Sequence, residues 1–103
     1  MSFEVKRWQD TQPPDVVRLR RRLESEGFTV SEYTDAPGNV YDSHSHEDDQ
    51  THWIISGEAE FEVDGQKYHL GPGDRDFLPA NTEHAAVVLG NEPVRYLVGV
   101  KSR

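Results

Sequence analysis

Two periodicities divide the chain. In PPDVVRLRRRLESEG, Val16, Leu19 and Leu23 recur at helical spacing and form one narrow apolar stripe. The prolines suit a first helical turn and Gly27 suits the position just past the last, so the segment predicts a helix. From Phe28 onward the period is two. In GEAEFEVDGQKYHL, Ala59, Phe61 and Val63 alternate with Glu58, Glu60 and Glu62, the pattern of a strand with one buried and one solvated face. Asp64-Gly65 supplies the positive-φ pair of a tight hairpin into the strand that ends at Leu70. GPGD marks a further turn before RDFLPAN, and the last strands read HAAVVL and VRYLVGV. Short strands separated by Gly/Pro turns fit an all-β fold, a small antiparallel barrel or sandwich, carrying one N-terminal helix.

Length limits this to one core: 103 residues are too few for two. The chain is polar, but its apolar residues fall in ordered runs, which argues against disorder. It has no cysteine, so a disulfide framework and a thiolate zinc site are both excluded, and histidine, carboxylate and amide remain as possible ligands. The opening MSFEVKRWQD has no apolar run and no stretch nears the length of a membrane span. Neither a signal peptide nor a membrane partner is expected, and a cytoplasmic location is the default. A net charge of -8 repels phosphates, so a nucleic-acid partner is not expected either.

The stretch DSHSHEDDQTH concentrates the candidate chemistry. His44 and His46 are two apart on a predicted strand and point the same way, so their imidazoles can converge on one ion. His84, just before a distant strand, can close the face, and Gln50 can add an amide oxygen. One divalent metal ion per chain is the expected cofactor, and neutral imidazole suits zinc, iron, manganese or nickel.

These residues fall into two motifs. Gly38, His44, His46, Gln50 and Gly57 follow the spacing G-x5-H-x-H-x3-E-x6-G, with glutamine in the acidic slot. Gly73, Pro79 and His84 follow G-x5-P-x-G-x2-H-x3-N, with Asn81 in place of the glycine and Val88 in place of the asparagine. The chain thereby resembles the cupin family from about Phe28 to Val100. The resemblance implies a double-stranded β-helix, a jelly-roll barrel over residues 28–103 with the segment 1–27 packing its helix on the outside. It also implies a metal in the barrel mouth on His44, His46, Gln50 and His84, a small-molecule substrate or ligand, and a homodimer.

Glutamine at position 50 changes the expected chemistry. Three imidazoles and an amide are all neutral, so a divalent ion would keep its full charge and act as a stronger Lewis acid than with a glutamate. The amide cannot take a proton. Such a ligand set is similar to that of cupins that open unsaturated uronate rings, and three-histidine cupins that activate oxygen are a second precedent.

His52 shares the alternation of Gln50 and should also face inward. Three roles are open to it: an additional ligand, a pocket acid/base or substrate contact, or a hydrogen-bonded core histidine. It is the candidate catalytic residue. Asp42, two before His44, is a weaker candidate that could instead act behind the ligands. Glu47, Asp48 and Asp49 read as a solvated loop, His69 as exposed, and Arg18, Arg20, Arg21 and Arg22 as a solvated helix face. Asp74 is expected to tie its turn through backbone hydrogen bonds. Two function classes follow: a metal-dependent enzyme of dioxygenase or sugar-acid isomerase/lyase type, with His52 as proton shuttle, or a non-catalytic binding module or sensor.

Overall fold

A computed structural model describes residues 2–102. Among the described residues, nine strands and one helix run in the order β1 (Glu4–Lys6), α1 (Val16–Ser25), β2 (Thr29–Asp35), β3 (Val40–His44), β4 (Asp49–Ser56), β5 (Glu58–Val63), β6 (Gln66–Leu70), β7 (Arg75–Phe77), β8 (His84–Leu89) and β9 (Val94–Lys101). They form two antiparallel sheets, one ordered β1-β7-β4-β9-β2 and the other β3-β8-β5-β6. Among the described residues, no helix is long and apolar enough to cross a membrane.

The alternation read in β5 holds: Ala59, Phe61 and Val63 are buried while Glu58 and Glu62 are exposed. With Ile54, Leu70, Val88 and Val94 the first two fill the space between the sheets. Asp64 and Gly65 both adopt positive φ, 53° and 78°, as the hairpin turn requires.

β4 is buried along most of its length because both of its faces are covered. Ile54 faces the inter-sheet core, whereas Trp53 and Ile55 join Leu97, Leu19 and Leu23 beneath α1. The helix therefore packs on the outer face of the larger sheet. Its start differs from the expectation. Asp15, not a proline, caps it, accepting hydrogen bonds from the N–H groups of Val17 and Arg18 at 2.9 and 3.2 Å. A capping carboxylate satisfies donors that proline can only lack, so the prolines lie before the helix rather than in its first turn. The end is as expected. Gly27 has φ +95°, Phe28 N–H bonds the Leu23 carbonyl and Gly27 N–H bonds the Glu24 carbonyl, which is the Schellman arrangement.

A buried cation fastens helix to sheet. The Arg75 side chain is 5% exposed and its guanidinium reaches Glu26, just past the helix, at 2.6 Å, and the Thr51 hydroxyl at 2.8 Å. It also lies over the rings of Trp53 and Phe77. The hydrogen bond from Arg75 outweighs the opposing effect of burial and holds the Glu26 carboxyl below its usual 4.5. A carboxyl depressed on folding adds stability above its unfolded pKa, and that stability is lost as pH falls through the lower folded value. Glu26→Gln, which strands the guanidinium without a counter-charge, should cost about 1.5–3 kcal/mol at pH 7. Denaturant midpoints between pH 7 and pH 3 check this: the gap between wild type and variant should close as the pH falls, and a constant gap would refute the pairing as its origin.

Candidate metal centre

His44 ends β3 and His84 begins β8, and these residues face one another directly in the strand register. His46 lies just beyond β3. The three rings converge, with centroids 4.3 Å apart for His44–His84, 4.8 Å for His44–His46 and 5.2 Å for His46–His84. One nitrogen from each lies within 4.8 Å of those of the other two.

Their surroundings prepare two of these rings as ligands. His44 Nδ1 donates to the Asp42 carbonyl at 2.6 Å and His84 Nδ1 donates to the Thr82 carbonyl at 2.9 Å, which leaves the Nε2 lone pair of each free. Burial, followed by the nearby His44, holds the His46 imidazole below its ordinary value. Burial does the same for His84, outweighing the opposing hydrogen bond to Thr82 and aided by the other histidines. Neutral rings with free lone pairs are what a cation needs. The donor set therefore fits one divalent ion.

A cavity of about 340 Å³ opens onto this cluster, and Gln50, His52, Tyr41, Asp35 and Tyr96 line it along with apolar side chains of both sheets. Such a volume suits a small ligand. Gln50, His52 and Ile54 alternate on β4 opposite Val100, Val98 and Tyr96 of β9, so the inward direction expected for Gln50 and His52 is observed. The Gln50 amide nitrogen donates to Asp48 at 3.2 Å, which frees its oxygen for the cavity.

His52 stands outside the three-histidine cluster. Its Nδ1 hydrogen-bonds Asp76 at 3.0 Å, and its backbone N–H donates to the same carboxylate at 2.7 Å. Asp76 is wholly buried. Burial alone would lower the His52 pKa, but the charge and hydrogen bond of Asp76 prevail and raise it. Sequence reasoning missed Asp76. Only its place two after Asp74, in a strand too short to show alternation, could have drawn attention to it.

Asp42 takes another place than a pocket residue. The register of β3 against β8 shifts between Tyr41 and His44, so Tyr41 lines the cavity and the Asp42 side chain is exposed. Its contribution is the carbonyl that holds His44. The shift is a bulge-like irregularity, and these reverse inward and outward positions. Among the other acids, Asp49 accepts from the Ala80 N–H at 2.8 Å, and His69 is exposed and paired with Glu58. Asp74 ties its turn through the Gly71 N–H, as expected, and also anchors Trp8 N–H and Arg7 of the N-terminal segment. Asn81, in the glycine slot of the second motif, has φ +63° and its N–H bonds the His46 carbonyl at 2.6 Å. Asparagine is the side chain that best tolerates that left-handed backbone, so the motif's conformation survives the exchange.

The cupin domain family matches residues 31–100, and the chain belongs to that family. Among solved structures, it is similar to the DMSP lyase DddQ of Ruegeria pomeroyi, at 30% identity over 73% of this chain and 38% of that one, with a TM-score of 0.66. It is similar also to an uncharacterised protein with a double-stranded β-helix domain from Klebsiella pneumoniae, at 32% identity over 71% of this chain and 65% of that one, TM-score 0.63. A cupin 2 domain-containing protein of Halorhodospira halophila shares the fold over all of this chain and 79% of its own, with 22% identity and a TM-score of 0.77. The chain thus spans less than two thirds of the first two proteins. Comparison with curated proteins returned no match.

Proposed function

We propose that this cupin is a metal-dependent enzyme that moves a proton on a small oxygenated substrate, an isomerase or lyase rather than an oxygenase. The observation that carries this reading is the His52–Asp76 pair, whose imidazole lines the same cavity as the three-imidazole cluster while the carboxylate lies buried behind it. His44, His46 and His84 would hold the ion, with the Gln50 oxygen as a fourth ligand. Once bound, a divalent ion supplies Lewis-acid polarisation of a substrate carbonyl or carboxylate oxygen.

The protein's own residues do the rest. Asp76 engages Nδ1 and sets the His52 tautomer, so Nε2 offers its lone pair to the cavity. There it can take a proton from the substrate and return it at a second position, or keep it until a leaving group departs. Gln50, an amide, cannot compete for that proton. The likeness to a DMSP lyase supports a non-oxidative reaction of this kind.

The test is solvent-deuterium exchange followed by NMR. A panel of small 2-oxo, 3-hydroxy and 3-substituted carboxylates is incubated in D2O with protein loaded in turn with zinc, manganese, nickel or iron. Exchange or elimination beside the carboxyl group is expected. It should fall by roughly 10²–10⁴-fold in His52→Gln at unchanged metal content, the usual contribution of a general base. Binding without any exchange would favour the sensor reading, and exchange unaffected by the substitution would remove His52 from the chemistry.

A further inference from the structure

The cavity has a second polar feature that metal binding and the His52–Asp76 pair leave unused. Asp35, the last residue of β2, lines it and accepts a hydrogen bond from the Tyr96 hydroxyl at 2.5 Å. Tyr41 lies close enough to both for burial, and then Asp35, to push its phenol upward. Among the described residues, no lysine, arginine or histidine lies within ion-pair distance of Asp35, and no lysine or arginine lines the cavity. The carboxylate is therefore solvated by phenols but lacks a counter-charge.

Three tyrosine rings line the same cavity. Tyr33 and Tyr96 are opposite one another on β2 and β9, with centroids 6.0 Å apart. Tyr33 is 51% exposed and Tyr41 is 40% exposed, although both line the cavity, so their rings stand at its mouth. A carboxylate without a counter-charge in a cavity lined by tyrosine rings is an environment for a positive group, which gains from the charge and from the ring quadrupoles together. A neutral hydroxyl would gain only one more hydrogen bond there.

The positions along β9 give the cavity two poles. Val100 pairs with Gln50 near the histidines, and Tyr96 lies four residues away, roughly 13 Å at the rise of a strand. We propose that Asp35, Tyr96, Tyr41 and Tyr33 form a cation subsite, and that the natural ligand carries a compact alkylated ammonium-type cation there and an oxygen donor at the histidine end. The cation subsite stands on its own geometry. The assignment of the other end rests on the metal-dependent reading above.

Two titrations test it. In the first, metal-free protein at pH 8 is titrated with choline and with 3,3-dimethyl-1-butanol, its neutral carbon isostere, while the tyrosine ring resonances are followed by NMR. Choline should shift the Tyr33, Tyr41 and Tyr96 signals and bind at least about tenfold more tightly than the alcohol. Asp35→Asn, which keeps an acceptor for Tyr96, should abolish that preference. Tyr33→Leu, at a half-exposed position that leaves the fold intact, should weaken choline by roughly two- to fivefold. Equal binding of the two compounds, no binding of choline, or a preference that survives Asp35→Asn overturns the subsite.

In the second titration, metal-loaded protein is given ω-trimethylammonio carboxylates of two to four carbons beside their all-carbon isosteres. One chain length should bind at least about tenfold more tightly than its isostere, because both poles are then engaged. A choline preference in protein that takes up no metal would leave the subsite standing and overturn the metal-dependent reading. Loaded protein that shows no choline preference would do the reverse.

Discussion

His84→Ala is expected to abolish retention of metal. The wild-type chain, reconstituted and dialysed, should hold close to one divalent ion, and the variant should hold less than about a tenth of that. Loss of a residue that merely orients a ligand commonly costs 10–100-fold in metal affinity, and loss of a ligand itself should exceed about a hundredfold. The geometry explains why this position is so exposed to substitution. His44 and His84 are direct partners across β3 and β8, with ring centroids 4.3 Å apart, so removing either leaves two rings that no longer surround a point. His69→Ala is the matched control, because His69 is exposed and pairs only with Glu58. Elemental analysis of the three proteins decides the matter. Equal metal in wild type and His84→Ala would mean that the cluster is not the binding site.

Much of this centre was legible in the sequence because its information is local or carried by motif spacing. His44 and His46 declare themselves two apart, and the second motif brings in His84. Alternation then predicts the inward direction of Gln50 and His52, and both line the cavity. The alternation failed for Asp42 because a register shift intervenes between Tyr41 and His44, and no pattern of polar and apolar residues marks it. Asp76 was not legible for a different reason. Its partner is 24 positions away, and only the packing of β7 beside β4 brings the two together. Asp35 and Tyr96 are 61 positions apart and meet only because β2 pairs with β9. The three-residue strands β1 and β7 are too short for a period to emerge. Sequence thus shows residues that act together when they lie near one another along the chain, and conceals those that a sheet assembles.

Asp76→Ala, behind the cavity-lining His52, should cause a large loss of stability, about 3–5 kcal/mol. The carboxylate is wholly buried and accepts from both the backbone N–H and Nδ1 of His52. Alanine leaves two donors in the interior with no acceptor, and water cannot reach them without opening the sheet. Asp76→Asn separates this structural role from a chemical one. Its amide oxygen can still accept from the His52 backbone N–H, so the loss should be smaller, about 1–2 kcal/mol by denaturant unfolding. The amide nitrogen, however, is a donor and presents a hydrogen where the carboxylate presented a lone pair. The imidazole can satisfy it only by accepting at Nδ1, which moves the ring proton to Nε2, toward the cavity. The asparagine variant should therefore fold, keep its metal, and yet lose the proton acceptor that the proposed reaction requires. Nitrogen-15 NMR of the imidazole reads the tautomer directly, and the exchange assay reads its consequence. A variant with the tautomer reversed and exchange unimpaired would show that the Asp76–His52 pair exists to hold β4 against β7, and the base would have to be sought elsewhere.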